Sequence, residues 1–322
     1  EGRVILHFGA IEKYAEVWLN GARVAKHQGG YLPFSVDITK NLLSDGENIL
    51  IVMAKDSMNH DLPYGKQKIR RGGMWYTPVS GIWQTVWLES VPDIYIKELK
   101  ITPTLESVTI NVEIENSLVK DGRIYENQAS SIKKTITVDT GDGSNIIKEF
   151  IGDEITIVID KPRLWSPEEP FIYNFEISAG EDIVCSYFAL RTVSVREVDG
   201  VSRLCLNDRP YFFHGLLDQG YFSDGIYLPA SEKGFYRDIS SMKELGFNTL
   251  RKHLKIEPQC YYYYCDKLGM IVLQDMVNNG NYSFFRDTVL PTLGLIKEKE
   301  TFLAFLVKRD DRKLKKKKAV KE

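Results

Sequence analysis

Residues 1–195 run as short stretches in which apolar and polar side chains alternate, and past Val195 the spacing becomes that of helices alternating with short strands. The two periods bury different surfaces. Period 2 puts one face of a strand in a core, and period 3.6 puts one stripe of a helix there. The switch predicts antiparallel β domains first and a parallel α/β segment after them.

Within 1–92 the runs Val4–Phe8, Ala15–Leu19, Asn48–Val52 and Thr85–Leu88 are joined by turn-formers, among them Gly29-Gly30 and Asp45–Asn48. Asn20-Gly21 between two such runs predicts a two-residue hairpin. Within 93–195 the candidates include Ile94–Ile96, Leu99–Ile101, Val108–Ile114, Lys134–Val138, Ile155–Ile159 and Phe171–Ile177. Strands of this number and length predict a small immunoglobulin-like sandwich. Asp139–Gly143 reads as a turn, since its spacing fails the EF-hand loop.

After Val195, Tyr211–His214 reads as a short strand. Ala230–Leu245 reads as a helix with Phe235, Ile239, Met242 and Leu245 on one face, Ser231 to cap it and Gly246 to stop it. Phe247–Arg251 follows as a strand, Pro258–Leu268 as a helix closed by Gly269, and Met270–Gln274 as a third strand.

The formal net charge is −2, which gives no global signal for nucleic acid. It conceals a basic end: residues 308–322 carry nine Lys/Arg against three acids, the pattern of a solvated tail. No run of 18 apolar residues is present, so no membrane helix is expected. The four cysteines match no zinc or redox spacing and are expected as free, mostly buried thiols. No metal or cofactor is implied. Residues 1–8 read as strand rather than leader, and a cytoplasmic location is the working expectation.

Several stretches together resemble glycoside hydrolase family 2, the β-galactosidase, β-glucuronidase and β-mannosidase group. Leu6–Ala10 with Ala15–Gly21, Gly29–Phe34 and Ser80–Leu88 resemble its jelly-roll domain. Leu164–Pro170 and Phe188–Arg191 are similar to its second domain and the lead into its barrel. Gly246–Arg251 and Cys265–Asp275 resemble barrel strands two and three. The resemblance implies a jelly-roll sugar-binding-like domain over 1–92, an immunoglobulin-like sandwich over 93–195, and over 196–322 the first part, about three strands, of a (β/α)8 TIM barrel. It implies a carbohydrate partner, and an oligomer in the full-length parent is compatible with it.

Barrel ligands sit at the C-terminal ends of strands, which singles out His214–Gln219, Arg251–His253 and Gln274–Asn278. Arg251 can hold a carboxylate ionised, or close the strand end as a salt bridge. His253 can donate to a sugar hydroxyl, or be a satisfied core histidine. Asp275 can take a sugar hydroxyl, or cap the next segment. Asp218 and Gln219 are further candidates for substrate binding. The family places a histidine three residues after the arginine; here His253 is two after Arg251 and Leu254 stands third. Trp75 occupies the place where the best-known β-galactosidases carry a jelly-roll aspartate, and it can stack on a sugar.

The family retains configuration with two glutamates, an acid/base in an Asn-Glu pair and a nucleophile. This sequence contains no Asn-Glu dipeptide, and Glu197, Glu232, Glu244, Glu257, Glu298, Glu300 and Glu322 are the glutamates past residue 196. The expectation is an N-terminal fragment of a β-galactosidase-like hydrolase of terminal β-glycosides, inactive by itself, with 283–322 departing from the family pattern. A non-catalytic carbohydrate-binding or scaffold protein is the second reading. An opened barrel segment is also expected to leave an apolar face and a bare sheet edge.

Overall fold

Period-2 patterning produces the first two bodies of the computed structural model, which describes residues 2–58, 62–70, 72–115, 117–120, 123–126, 131–278 and 283–294. Arg3–Phe8 lies between Phe34–Asp37 and Val86–Val91 in one antiparallel sheet, and Tyr14–Leu19 lies between Ala22–Gln28 and Leu50–Lys55 in another. Ala15, Val17 and Leu19 alternate inward and meet Leu6, Phe8 and Ile38 in one core. The Asn20-Gly21 hairpin forms as expected, with both residues at positive φ (50° and 81°). That geometry matches the twist of the flanking strands.

The second body is a β-sandwich. Glu154–Val158, Ser107–Glu115 and Tyr95–Pro103 form one sheet; Asn145–Phe150, Lys134–Asp139, Tyr173–Ala179 and Asp182–Phe188 form the other. Val108, Ile110, Val112, Ile136, Val138, Phe175 and Ile177 share its core. A further hairpin, Ser117–Lys120 with Arg123–Glu126, was not anticipated from the patterning.

A second unanticipated hairpin, Val193–Val198 with Val201–Leu206, straddles residue 195. Its turn is Asp199-Gly200, again at positive φ (54° and 73°), so the hairpin signal was present in the sequence. Three parallel strands then follow in order: Gly215–Asp218, Thr249–Lys252 and Ile271–Gln274. Helices α1 (Lys233–Glu244) and α2 (Gln259–Leu268) connect them and pack Phe235, Ile239, Tyr261 and Cys265 against Leu250. The strands align so that Leu217, Arg251 and Leu273 share one row, and Asp218, Lys252 and Gln274 the next. Because side chains alternate across a strand, these rows face opposite sides. Leu217, Arg251 and Leu273 are exposed, and Lys252 is fully buried.

Several local expectations are corrected. The strand placed at Tyr211–His214 forms instead at Gly215–Asp218. Residues 211–214 are held by side chains: Tyr211 donates to Glu168 at 2.6 Å, and Asn248 donates to the Phe212 carbonyl at 2.9 Å. Pairing begins at Gly215, where a Cβ would stand 2.8 Å from the Thr249 carbonyl oxygen. Helix α1 starts at Lys233, and no side chain caps it; Ser231 contributes its carbonyl to Gly234 N–H at 2.9 Å rather than its hydroxyl. Leu245 falls past the helix end and is exposed. Gly246 (φ 90°) and Gly269 (φ 76°) stop the helices as expected. All four cysteines are free; Cys205 and Cys265 are buried, whereas Cys185 is exposed.

Residues Glu1–Asn278 form one compact unit. In 279–322 the described residues contain the helical turn Phe285–Val289, continuing through Leu290–Thr292. The apolar run 302–307 and the Lys-rich tail lie outside the described residues.

Candidate functional site

Short parallel strands direct their last side chains and the residues just beyond them toward one end of the sheet, where open and closed α/β folds place ligands. Two polar clusters collect there.

The first is internal. Lys252 Nζ lies 2.7 Å from Asp218 and 2.6 Å from Glu257, and Lys255 Nζ lies 2.9 Å from the same Glu257 oxygen. Lys255 also donates to the carbonyls of Gly220 and Tyr227. Tyr261 on α2 donates to Asp218 at 3.0 Å, and Gly220 N–H donates to its other oxygen at 2.8 Å. The Glu257 side chain is 0% exposed, and its Oε2 has no hydrogen-bond partner among the described residues. Burial pushes the Lys255 ammonium down to about 8, with Lys252 beside it acting the same way against the pull of Glu257. Burial pushes the Asp218 carboxyl up, but the Lys252 charge and the surrounding donors prevail and hold it below its ordinary value. Asp218 is thus spent within the molecule, and Gln219 beside it is exposed.

The second cluster is open. Asp275 accepts from Arg251 Nε at 3.1 Å and lies 2.9 Å from Arg251 Nη2. His253 Nδ1 lies 2.7 Å from the same carboxylate, and Lys66 Nζ lies 3.2 Å from His253 Nε2. Partial burial would raise the Asp275 carboxyl; hydrogen bonds from Arg251 and His253 outweigh it, and the group sits below its ordinary range. Arg251, His253 and Asp275, singled out by sequence, therefore converge, and Leu254 is buried away from them.

Described residues of 62–70 and 72–80 in the first body, Lys66 and Tyr76 among them, wall this cluster. Asn278 accepts from Lys66 N–H through its side chain at 2.8 Å and from Tyr64 N–H through its carbonyl at 3.0 Å. Tyr221 donates to the Thr77 carbonyl at 3.2 Å, and Tyr76 meets the His253 ring edge-on at 6.3 Å. Beneath, Gln67 donates to Tyr31 and Tyr227, whose hydroxyls lie 3.1 Å apart. Trp75 stands on the same wall with the Lys68 ammonium 3.6 Å from its ring centroid. Lys66, Tyr76 and Lys255 were not singled out in the sequence, and Lys252 and Glu257 fell within stretches that were, without the ion pairs they make. The signal for Lys252, Lys255 and Glu257 was charge alternating with apolar residues at the end of a short strand and just past it.

Glu12 marks the floor of the first body. It is 1% exposed, Oε2 lacks a hydrogen-bond partner among the described residues, and burial with Asp56 nearby pushes its carboxyl up to about 8. Among the described residues no three His, Cys, Asp or Glu side chains converge as a metal site.

Comparison with known proteins agrees with this layout. The family described as glycosyl hydrolases family 2, sugar binding domain, matches residues 1–92, and glycosyl hydrolases family 2 matches residues 94–191. A β-galactosidase of Thermoanaerobacter pseudethanolicus is 27% identical over 290 residues, covering 85% of this chain and 37% of the relative. A β-glucuronidase of Canis lupus familiaris is 25% identical over 306 residues, with 85% and 44% covered. Among solved structures, the Parabacteroides merdae β-glucuronidase superposes with a TM-score of 0.70 at 18% identity, covering 86% of this chain and 36% of that one. The β-D-glucuronidase of Dictyoglomus thermophilum gives 0.69 at 23% identity, with 87% and 49% covered. At those identities the structural likeness is one of fold. The chain spans less than half the length of these relatives. Two matched domains in family order, each on a β body that the described residues build independently, place the chain in glycosyl hydrolases family 2.

Proposed function

We propose that the protein from which this chain derives hydrolyses terminal β-glycosides with retention, and that the chain itself binds carbohydrate without turning it over. The observation that carries the reading is the Arg251–Asp275–His253–Lys66 constellation at the strand ends, with Tyr76 edge-on to His253 beside it. It combines an ionised carboxylate, cationic donors and aromatic faces, the mixture a sugar ring needs. Residues 1–92, 93–195 and 196–322 serve in this reading as sugar-binding domain, immunoglobulin-like domain and the opening strands of a (β/α)8 barrel. The apolar, exposed Leu217 and Leu273 beside Arg251 fit an inward barrel face.

The lack of turnover rests on the carboxylates. Retention needs two about 5 Å apart. Among the described residues past 196, Glu197, Glu232 and Glu244 are exposed and lie outside the three parallel strands and the residues that follow their ends, and Glu257 is locked between Lys252 and Lys255. Relatives bear the names β-galactosidase and β-glucuronidase, so both sugars belong in the test. Chromogenic β-galactoside, β-glucuronide and β-mannoside are offered to the chain, and binding of the parent sugars is followed by NMR. Binding without release of chromophore is expected. Turnover would overturn the proposed division between chain and parent, and the absence of any sugar binding would overturn the carbohydrate reading.

A further inference from the structure

The sheet with Tyr14–Leu19 at its centre has two outer strands of opposite character. Ala22–Gln28 presents Arg23 and Lys26 to solvent, and its pairing shifts register between Val17 and Trp18 of the centre strand. Charge and a bulge are the devices that keep a sheet edge from adding a further strand. Leu50–Lys55, on the other side, has neither. It pairs with Tyr14–Leu19 in unbroken register, and Ile49 to Ala54 include no charged residue and no proline. Ile49, Ile51 and Met53 on its outward face are 57%, 56% and 44% exposed.

The backbone of that strand is open as well. Asn20 N–H donates to the Ile49 carbonyl at 3.0 Å, so the alternation of an antiparallel ladder turns the peptide groups of Ile49, Ile51 and Met53 toward the centre strand. Those of Leu50, Val52 and Ala54 point the other way, and among the described residues no hydrogen bond reaches them. The row is also complementary to itself. Turned antiparallel about Ile51, it sets Leu50 opposite Val52 of a second copy, and the peptide groups of both face the seam. On the outward face Ile51 then meets Ile51, Ile49 meets Met53, and Glu47 meets Lys55. Glu47 and Lys55 are both exposed, and opposite charges directly across a strand pair select the register that joins them.

We propose that this edge is an interface between two copies of the chain. The two Leu50–Lys55 strands pair antiparallel about a two-fold axis at Ile51, and two three-stranded sheets become one of six strands. A contact of this kind uses the same patch on both copies and closes at a dimer. The inference stands apart from the carbohydrate reading, because it uses none of the residues of the strand-end site.

The test follows the full 322-residue chain by analytical ultracentrifugation over a dilution series. The wild type should sediment as a dimer. Ile51→Lys, at an exposed position, should keep the wild-type melting temperature and give a monomer. Glu47→Lys sets lysine against lysine twice across the seam and should weaken the dimer about tenfold, and Glu47→Lys combined with Lys55→Glu should restore it to within about threefold. Ile51→Cys should crosslink to itself on mild oxidation, because non-hydrogen-bonded partners stand about 4.5 Å apart at Cα, within disulfide reach. Met53→Cys, which faces Ile49, should not. A chain that is monomeric at every concentration overturns the proposal, whether its Leu50, Val52 and Ala54 amides exchange freely or are protected by another part of the same chain. An assembly that survives Ile51→Lys belongs to another surface and overturns it too. Where Ile51→Lys lowers the melting temperature, the charge swap decides: a dimer that Glu47→Lys leaves unchanged, or that the double variant fails to rescue, refutes the pairing.

Discussion

Arg191, at the end of the second body, donates to the Asp266 carboxylate on α2 at 2.6 Å. Trp165 donates to the Asp266 carbonyl at 2.7 Å, and Tyr187 to its carboxylate at 3.1 Å. One residue thereby anchors the immunoglobulin-like sandwich to the α/β segment. Asp266→Ala should cost about 1–3 kcal/mol, the scale of a lost charged hydrogen-bond set with partly buried partners. Trp165→Ala, which empties a site only 1% exposed, should cost about 3–5 kcal/mol. Urea denaturation followed by tryptophan fluorescence and by far-UV circular dichroism checks both. A variant that unfolds with wild-type midpoints would show that the anchor carries no stability.

Glu257 should matter to folding far more than its surface neighbours do. Glu257→Gln removes the negative partner of two buried ammonium groups, and breaking a buried pair in this way costs about 3–5 kcal/mol. Glu244→Gln, at an exposed position at the end of α1, should be close to neutral. Thermal melts of the two variants side by side give the comparison, and equal melting temperatures would refute it.

Glu12 predicts an alkaline weakness. Its carboxyl is raised from 4.5 to about 8 in the folded chain, so the native state holds a proton that the unfolded state releases earlier. The resulting stability is complete below pH 4.5 and is lost as pH rises through about 8. Each pKa unit corresponds to about 1.4 kcal/mol, so the slope lies within reach of a urea midpoint series from pH 5 to 9. Glu12→Gln should flatten that slope and raise the midpoint at pH 9. An unchanged slope would rule out Glu12 as its source.

The glycines after the two helices separate two effects that a sequence shows as one. Both have positive φ, but a Cβ at Gly246 meets nothing within 4 Å, whereas one at Gly269 would stand 2.5 Å from the Pro167 carbonyl oxygen. Gly246→Ala should cost about 1 kcal/mol, the left-handed penalty alone. Gly269→Ala should cost more, because backbone must also move. Chemical denaturation of both variants measures the difference, and equal losses would show that the Pro167 contact yields freely.

Much of the architecture was legible from period and punctuation. Asn20-Gly21, the alternation in Tyr14–Leu19 and the Gly269 stop each act locally, so a single sequence displays them. The Asp199-Gly200 hairpin carried the same kind of mark and was overlooked in favour of the change in period beside it. Tyr211–His214 misled because an apolar aromatic run is also what side-chain contacts with Glu168 and Asn248 require. At the site, Arg251, His253 and Asp275 followed from strand ends, which the pattern locates. Lys66 did not, because 187 residues separate it from His253 and nothing local to either residue records the contact. The ion cluster at Lys252, Lys255 and Glu257 was hidden for a different reason: charge in a sequence reads as solvent, and only tertiary packing turned these residues inward.

The two side-chain rows of the parallel sheet carry a consequence for assembly of the strands. A slip of one residue in Thr249–Lys252 would exchange the two rows, carrying Lys252 to the open face away from Asp218 and Glu257 and forcing the bulkier Arg251 guanidinium into the buried place that fits an ammonium. Hydrophobic residues alone would tolerate the error better, since Leu217, Leu250 and Leu273 are interchangeable in shape. The salt-bridged row behaves as a keyed joint, admitting one alignment of the three strands and rejecting its neighbours.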